Sequence, residues 1–251
     1  MSLAGVNSIN WARVMAQTVY YFTAAAKLGA PDQPVAFSVP TGNFGDVFAG
    51  YVAAQMGLPV AHLMVATNVN DILARTMDSG VYQTGDVVAT SSPSMDIQVS
   101  SNFERLLFEL TGRDASRVRG YMDALTQSGR FEMASDELTL MRALFGAIRI
   151  DQQQTLDVMR QVKAEHHMQI DPHSAIGVGA ARQAVLADGV PIVSLATAHP
   201  AKFPKAVVQA YDEQPDTPQR VVEMLTLEEN FIPVANKLAD VQALIRAKAQ
   251  A

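Results

Sequence analysis

The stretch of sequence that decides the fold runs from residue 35 to residue 57 and reads VAFSVPTGNFGDVFAGYVAAQMG. Its apolar beginning, residues 35–39, predicts a buried β-strand. Pro40 has no N–H to donate to a neighbouring strand, so we expect it to end this one. Glycines within residues 41–45 are typical of a sharp turn or of a backbone that approaches a ligand. Residues 47–56 have helical composition, so the stretch predicts a strand, a glycine-rich turn and a helix in succession.

The start of this helix has the features of an anion-binding site. Asp46 stands where an N-cap or a first-turn acid is expected, and Gly57 is a stop signal at the far end. The unpaired backbone N–H groups of a first helical turn, together with the helix dipole, favour a phosphate. Taken alone, however, a Gly-x-x-Gly turn matches an ordinary strand-to-helix connection with a cap equally well.

Composition indicates a folded protein and argues against several function classes. Of the 251 residues, 49% are hydrophobic and 18% are charged, which suits one large or two small domains with a sizeable core. The net charge of −6 and the lack of a Lys/Arg run argue against nucleic acid as a partner. The absence of cysteine excludes disulfides and a thiolate nucleophile, and it fits a cytoplasmic protein.

Neither a membrane nor a metal is an expected partner. The apolar stretch at residues 14–26 contains Gln17 and Thr18 and is shorter than the roughly 20 apolar residues of a membrane span. His166, His167 and His173 lie close together in sequence, but no cysteine accompanies them and no His-Glu-x-x-His pattern is present. We therefore expect no metal site.

Two further apolar runs, at residues 62–67 and 190–195, predict strands that end in polar segments. A strand, a helix and a strand in succession form a βαβ unit, which predicts a mostly parallel sheet flanked by helices. Asn68 and Asn70 follow the first of these strands, at the end of the sheet where ligands bind in open α/β folds. Helix capping is nevertheless the role that we expect for them, with Asn70 or Asp71 as the N-cap of the helix that follows.

A polar segment with one arginine precedes the first helix. Asn10 is the expected N-cap of a helix that runs to about Lys27, and Ser8 and Arg13 lie beside it. Hydroxyl, amide and guanidinium donors at a helix start suit an anion. The local pattern by itself favours a solvated cap with an exposed arginine.

Three segments stand out together, in this order along the chain. They are NSIN with a following arginine at residues 7–13, SVPTGNFGD at residues 38–46 and TAHPAKF at residues 197–203. In sequence and order they resemble the threonine synthase family, which belongs to the fold-type II pyridoxal-phosphate (PLP) enzymes. The resemblance implies an α/β fold like that of the tryptophan synthase β subunit, present here in part.

The resemblance also implies site residues and a reaction. It assigns the phosphate of PLP to Gly42, Asn43, Phe44 and Gly45, and the pyridine nitrogen of PLP to Thr197. It assigns the phosphate of the substrate to Ser8, Asn10 and Arg13. The implied reaction, a lyase step of threonine biosynthesis, converts O-phospho-L-homoserine and water to L-threonine and phosphate.

The chain lacks the sequence context of the family's Schiff-base lysine. Its six lysines are Lys27, Lys163, Lys202, Lys205, Lys237 and Lys248. None stands in a Phe-Lys-Asp or Ser-x-Lys-Asp context, and the family's Ser-Gly-Asp-Thr-Gly loop is absent too. The chain thus resembles the C-terminal part of a threonine synthase. We assign it no catalytic residue, expect it to be inactive alone, and expect the N-terminal half of the same enzyme as its partner.

Within the chain we expect three parts and, at its start, a leader. Residues 4–98 are expected to form the first part of the α/β core, residues 99–168 a helical insertion or subdomain, and residues 169–251 the rest of the core with C-terminal helices. Met1-Ser2-Leu3 resembles a leader added for expression.

Two alternative functions stay open from the sequence. One is a PLP-dependent serine or threonine dehydratase, which is the nearest related enzyme class. The other is a non-catalytic homologue that binds an anionic metabolite or a partner, since a fold by itself does not establish an activity.

Overall fold

The computed structural model describes residue 5 and residues 7–249. Residues 7–216 form one compact unit, and residues 217–249 belong to a second, smaller one. The expected leader, Met1-Ser2-Leu3, lies outside the described residues, as do residues 4, 250 and 251 of the predicted parts.

The elements follow one another as an α/β alternation. The helices are α1 (Trp11–Lys27), α2 (Gly45–Gln55), α3 (Ile72–Ser79), α4 (Phe103–Leu110), α5 (Ala115–Ser128), α6 (Ser135–Arg142), α7 (Gln152–His166), α8 (Pro172–Gln183), α9 (Pro204–Tyr211), α10 (Gln219–Leu225) and α11 (Leu238–Ala249). The strands are β1 (Val35–Pro40), β2 (Val60–Thr67), β3 (Val81–Gln83), β4 (Arg130–Glu132), β5 (Phe145–Arg149) and β6 (Ile192–Ser194). Short 3₁₀ turns occupy Pro93–Met95 and Pro200–Lys202. Every helix within the described residues is too short or too polar to cross a lipid bilayer.

The main sheet is parallel, with strand order β5-β2-β1-β6. All residues of β1, which lies in the sheet interior, are buried. On one face, Phe37 packs against Tyr21 of α1 with 4.8 Å between the ring centroids. On the other face, the Ser38 hydroxyl donates to Gly177 O of α8 at 2.6 Å. Helices thus cover both faces, which explains why β1 is apolar except for Ser38. The predicted α/β fold with a mostly parallel sheet is confirmed.

The strand–turn–helix unit is present with small shifts from its predicted bounds. Pro40 is the last residue of β1, where it lies opposite Ala66, instead of lying outside the strand. α2 begins at Gly45, because the preceding Phe44 forms its N-cap with a left-handed backbone (φ 62°). Gly57 also has a positive φ, of 100°, and follows the end of α2 as predicted.

Residues 99–168, expected to be a helical insertion or subdomain, are not wholly helical. They contain α4 to α7 together with β4 and β5. β5 pairs with β2 and extends the main sheet, whereas β4 forms an antiparallel ribbon with β3. This range is therefore integrated into the core at β5, and the division into three parts stays a prediction.

The packing of α2 predicts a large cost for a methyl group at Gly50. A Cβ atom built on Gly50 would lie 2.6 Å from Tyr21 Cε1 and 2.9 Å from Leu63 Cδ2. Because both neighbours are buried in a close-packed core, we expect Gly50→Ala to lower the free energy of unfolding by about 2 kcal/mol, measured by urea denaturation. The matched control is Gly120→Ala on the exposed side of α5, where a Cβ meets nothing within 4 Å. It should instead stabilise by up to about 1 kcal/mol, and equal effects of the two substitutions would contradict this packing.

Candidate functional site

The strand order creates a crevice at the carboxyl end of the sheet. From β1 the chain proceeds to β2 and later to β5 on one side, and then returns to β6 on the other side of β1. In open parallel sheets, ligands bind outside such a reversal of strand order. Ser38 of β1 pairs with Ser194 of β6. The turn after β1 and the segment after β6 therefore emerge next to each other.

A cavity of about 610 Å³ lies at this crevice. Its lining includes most of the residues that the sequence resemblance implied, namely Ser8, Arg13, Gly42, Asn43, Phe44, Gly45 and Thr197. Other lining residues include Gln17, Tyr20, Asp46, Ser94, Met95, His173, Lys202 and Phe203. The three resembling segments, far apart in sequence, thus contribute to one cavity.

The carbonyl groups of the turn after β1 are held by the segment that leads into α4. Ser100 Oγ donates to Gly42 O at 2.7 Å. Asn102 donates both its backbone N–H and its Nδ2 group to Asn43 O, each at 3.0 Å. The turn is thus fixed through its carbonyl oxygens, and the N–H groups of such turns are the groups that suit an anion.

Phe44 lies at the cavity lining and anchors the turn through its buried ring. Its side chain is 1% exposed, and its ring centroid lies 5.4 Å from that of Phe103 and 5.7 Å from that of Phe145. Phe44 offers no side-chain cap to the first turn of α2. A phosphate is a suitable cap for such uncapped N–H groups.

Only glycine at position 42 lets the opposite wall of the cavity approach the turn. A Cβ atom on Gly42 would lie 2.8 Å from Ser94 O and 3.3 Å from Met95 Cα. No sequence pattern indicated a role for Ser94 or Met95. Their position beside the turn depends on contacts between residues that are distant in sequence.

Asp46 brings a negative charge into the same cavity. It lies in the first turn of α2, and its backbone carbonyl accepts a hydrogen bond from Tyr21 Oη at 2.7 Å. Tyr21 Oη is also 3.4 Å from Asp46 Oδ1. Burial raises the pKa of the Asp46 carboxyl to about 6, and the Tyr21 hydrogen bond opposes part of this rise. Burial and the neighbouring Asp46 carboxylate in turn raise the pKa of Tyr21.

Residues in and just before the start of α1 have two different roles: some line the cavity, and one caps the helix. Ser8 and Arg13 line the cavity. Asn10 is the N-cap of α1, and its Oδ1 accepts from the Ala12 N–H at 2.9 Å. Asn10 is not among the described lining residues, so its predicted contact with a substrate phosphate stays a prediction that this geometry does not favour.

Thr197 lies beyond the carboxyl end of β6, exposed, in a cavity that it shares with the turn after β1. His199, two residues later, accepts from the Ala201 N–H through Nδ1 at 3.1 Å. This bond shapes the short turn that leads to Lys202 and Phe203. Arg13 and Lys202 are the two cations among the described lining residues, which suits anionic ligands.

Asn68 and Asn70, which we expected to cap a helix, bind a carboxylate instead. Their Nδ2 groups lie 2.8 and 3.0 Å from Asp96 Oδ1, and the N-cap position of α3 belongs to Asp71. Asp96 also accepts from the N–H and the hydroxyl of Thr90 at 2.8 and 2.7 Å. Capping was therefore the wrong prediction for Asn68 and Asn70, although Asp71, the other expected cap, does hold the N-cap position. The network of the two asparagines instead fastens residues 90–96 to the carboxyl end of β2.

His166 and His173 lie in different surroundings. His166 is exposed at the end of α7 and contacts Glu165. His173 is buried and lines the cavity. Within the described residues, no three His, Cys, Asp or Glu side chains are grouped so as to hold a metal ion.

Comparison with known proteins first defines the class. A serine racemase from maize, 12% identical in sequence, has a similar fold with a TM-score of 0.50 over 85% of this chain and 52% of its own. At this identity the similarity shows a shared fold, which is the fold-type II fold that the sequence resemblance implied.

Closer relatives define the family. A family model described as "Threonine synthase, C-terminal" matches residues 174–245. A threonine synthase from Pseudomonas aeruginosa is 50% identical over 244 residues, which cover 97% of this chain and 52% of that relative. The crystal structure of a PLP-bound threonine synthase from Brucella melitensis is 52% identical, with a TM-score of 0.94 over 99% of this chain and 53% of its own. This chain belongs to the threonine synthase family, and it spans about half the length of the relatives that it matches.

Proposed function

We propose that this chain supplies the phosphate-binding turn and the substrate-anion residues of a PLP-dependent threonine synthase. The complete enzyme would convert O-phospho-L-homoserine and water to L-threonine and phosphate. One observation carries the proposal: the turn at residues 42–45, Thr197, Ser8 and Arg13 line a single cavity at the switch point of the sheet.

The residues present fit the cofactor. The turn at residues 42–45 has its carbonyl oxygens bound by Ser100 and Asn102, and no side chain of the N-cap residue caps the first turn of α2. Its N–H groups would therefore hold the phosphate of PLP. When bound, PLP supplies an electron sink that acidifies C–H bonds of the attached amino acid.

Thr197 is proposed to hold the ring end of the cofactor. Its hydroxyl either donates to or accepts from a ring nitrogen, because a hydroxyl carries both functions. Unlike a carboxylate, a neutral hydroxyl does not force protonation of that nitrogen. We therefore expect Thr197 to orient the ring without strengthening the electron sink.

Arg13 and Ser8 are proposed to hold the phosphate of the substrate. Arg13 lies in the first turn of α1 and is exposed to the cavity, where its guanidinium can bind phosphate oxygens in a bidentate manner. These residues would fix the leaving group while its bond to carbon breaks. Asn10, the N-cap of α1, would act through the placement of this helix start.

The experiment is an assay of the complete gene product with PLP. We expect release of phosphate from O-phospho-L-homoserine with matching formation of L-threonine. The 251-residue chain alone serves as the control, and we expect it to be inactive because none of its six lysines has the family's Schiff-base context. Deamination of serine or threonine without phosphate release would identify a dehydratase. Tight binding of phosphate esters without turnover would identify a non-catalytic homologue.

A further inference from the structure

The proposed reaction gives no role to a buried aspartate and to the histidine that it contacts at the cavity lining. Asp171 is fully buried and His173 is 4% exposed. Asp171 Oδ1 lies 2.9 Å from His173 Nδ1 and also 2.9 Å from the His173 backbone N–H. The second carboxylate oxygen accepts from the Ser174 hydroxyl. The carboxylate therefore caps α8 and at the same time holds one ring nitrogen of His173.

The contacts of His173 are consistent with only one neutral tautomer. A carboxylate oxygen can only accept, so Nδ1 must carry the proton that it shares with Asp171. Nε2 is then an acceptor, and the Ser94 N–H donates to it at 3.3 Å. The Phe203 ring packs beside the imidazole, with 4.6 Å between the centroids.

Ser94 is also one of the residues that touch the phosphate-binding turn. Its carbonyl oxygen would lie 2.8 Å from a Cβ atom on Gly42, so the wall and the turn are already as close as glycine allows. A chain of contacts therefore runs from Asp171 through His173 and Ser94 to Gly42. Any shift of the Ser94 N–H moves the surface that faces the turn.

We propose that Asp171 and His173 are a positioning pair that holds the Ser94–Met95 wall against Gly42 and so sets the width of the phosphate-binding end of the cavity. His173 acts through Ser94: its acceptor Nε2 holds the Ser94 N–H, and the Nδ1–H bond to Asp171 orients the ring. The proposal rests on the proposed function for the identity of the anion, but the hydrogen-bond chain itself can be measured in the ligand-free chain.

The first measurement is nuclear magnetic resonance on the 15N-labelled 251-residue chain without ligand. We expect His173 to be protonated at Nδ1 and not at Nε2, and a scalar coupling across the hydrogen bond from the Ser94 amide nitrogen to His173 Nε2. Protonation at Nε2, or the absence of this coupling, overturns the positioning pair whatever the chain binds.

The second measurement compares two variants of matched polarity. His173→Gln places an amide oxygen near the position of Nε2 and keeps an acceptor for Ser94. His173→Asn reaches only the position of Nδ1 and keeps a donor for Asp171. In titrations with inorganic phosphate, followed by the amide signals of Gly42 and Gly45, we expect affinity within about twofold of the parent for Gln and at least about fivefold weaker for Asn. Urea denaturation of both variants separates this effect from lost stability.

The outcomes distinguish the pair from the function on which it rests. Equal phosphate affinities of the Gln and Asn variants overturn the proposal, because a merely structural histidine would give that result. If the parent chain shows the coupling but binds neither inorganic phosphate nor, as the complete gene product, PLP, the proposed function fails while the positioning pair stands.

Discussion

Gly42→Ala is expected to weaken PLP binding by the complete protein at least about 100-fold, which corresponds to about 2.7 kcal/mol. The added Cβ atom would lie 2.8 Å from Ser94 O and 3.3 Å from Met95 Cα, and both are backbone atoms. Backbone atoms cannot rotate away as the end of a side chain can, so either the wall or the turn must move. Both form the proposed phosphate site, and movement of either one misplaces its N–H groups.

A titration of PLP followed by absorbance measures this effect, and Gly85→Ala is the matched control. Gly85 also lies in a loop, but a Cβ atom there comes no closer than 3.8 Å to Gln98 Oε1. We expect unchanged PLP affinity for the control. If Gly42→Ala binds PLP as tightly as the parent, the turn after β1 is not the phosphate site.

The local part of this site follows from sequence, because it is made by neighbours in the chain. A buried strand, glycines and a helix start within residues 35–57 predict a turn that can bind an anion, and the resemblance to a family decided between this and an ordinary connection. Asn10 as the cap of α1 and Gly57 after α2 follow from the same short-range chemistry. The residues that the resemblance implied were correspondingly brought to one cavity, except Asn10.

The opposite wall of the cavity could not be predicted, because it depends on contacts between distant residues. Ser94 and His173 are 79 positions apart, and no local pattern links an N–H group in a turn to a ring nitrogen on a helix. β5 escaped prediction for a related reason. Its five residues, FGAIR, are too few for a clear period and become a strand only through pairing with β2.

Phe44 shows the same limit at a single residue. The resemblance assigned it, with the other residues of the turn, to the phosphate of PLP. The structure buries its ring against Phe103 and Phe145, which come from α4 and β5. A left-handed backbone for a bulky residue is uncommon, and here the two partner rings hold it.

Asp46→Asn is expected to make the chain more stable above pH 6 and to leave its stability unchanged near pH 4. Burial raises the pKa of Asp46 from 3.8 to about 6 in the folded state. At pH values below 3.8, the pKa of this carboxyl in the unfolded chain, both the folded and the unfolded chain hold the proton. Asp46 then has no net effect on the free energy of unfolding. Between 3.8 and about 6 the folded state binds the proton more strongly, so stability falls as the pH rises through this window and stays low above it.

Asparagine keeps the shape of the side chain and removes the buried charge. The pKa rise corresponds to a ceiling of about 3 kcal/mol. Because part of the carboxyl still meets solvent, we expect a gain of about 1–2 kcal/mol at pH 8. Urea denaturation of the parent and the variant at pH 4, 6 and 8 measures it. Asp123→Asn, on the exposed side of α5, is the control and should change stability by less than about 0.5 kcal/mol at each pH.

Asp46→Asn also tests how an acidic side chain in this cavity affects the binding of an anion. Charged Asp46 shares the cavity with Arg13 and Lys202 and opposes a phosphate dianion there. At pH 8, Asp46→Asn should therefore bind inorganic phosphate about tenfold more tightly than the parent, which is about 1.4 kcal/mol. At pH 5 the difference should shrink, because the parent carboxyl is then mostly protonated. If the gain in stability grows with pH but the gain in phosphate affinity does not, the carboxylate does not face the bound anion.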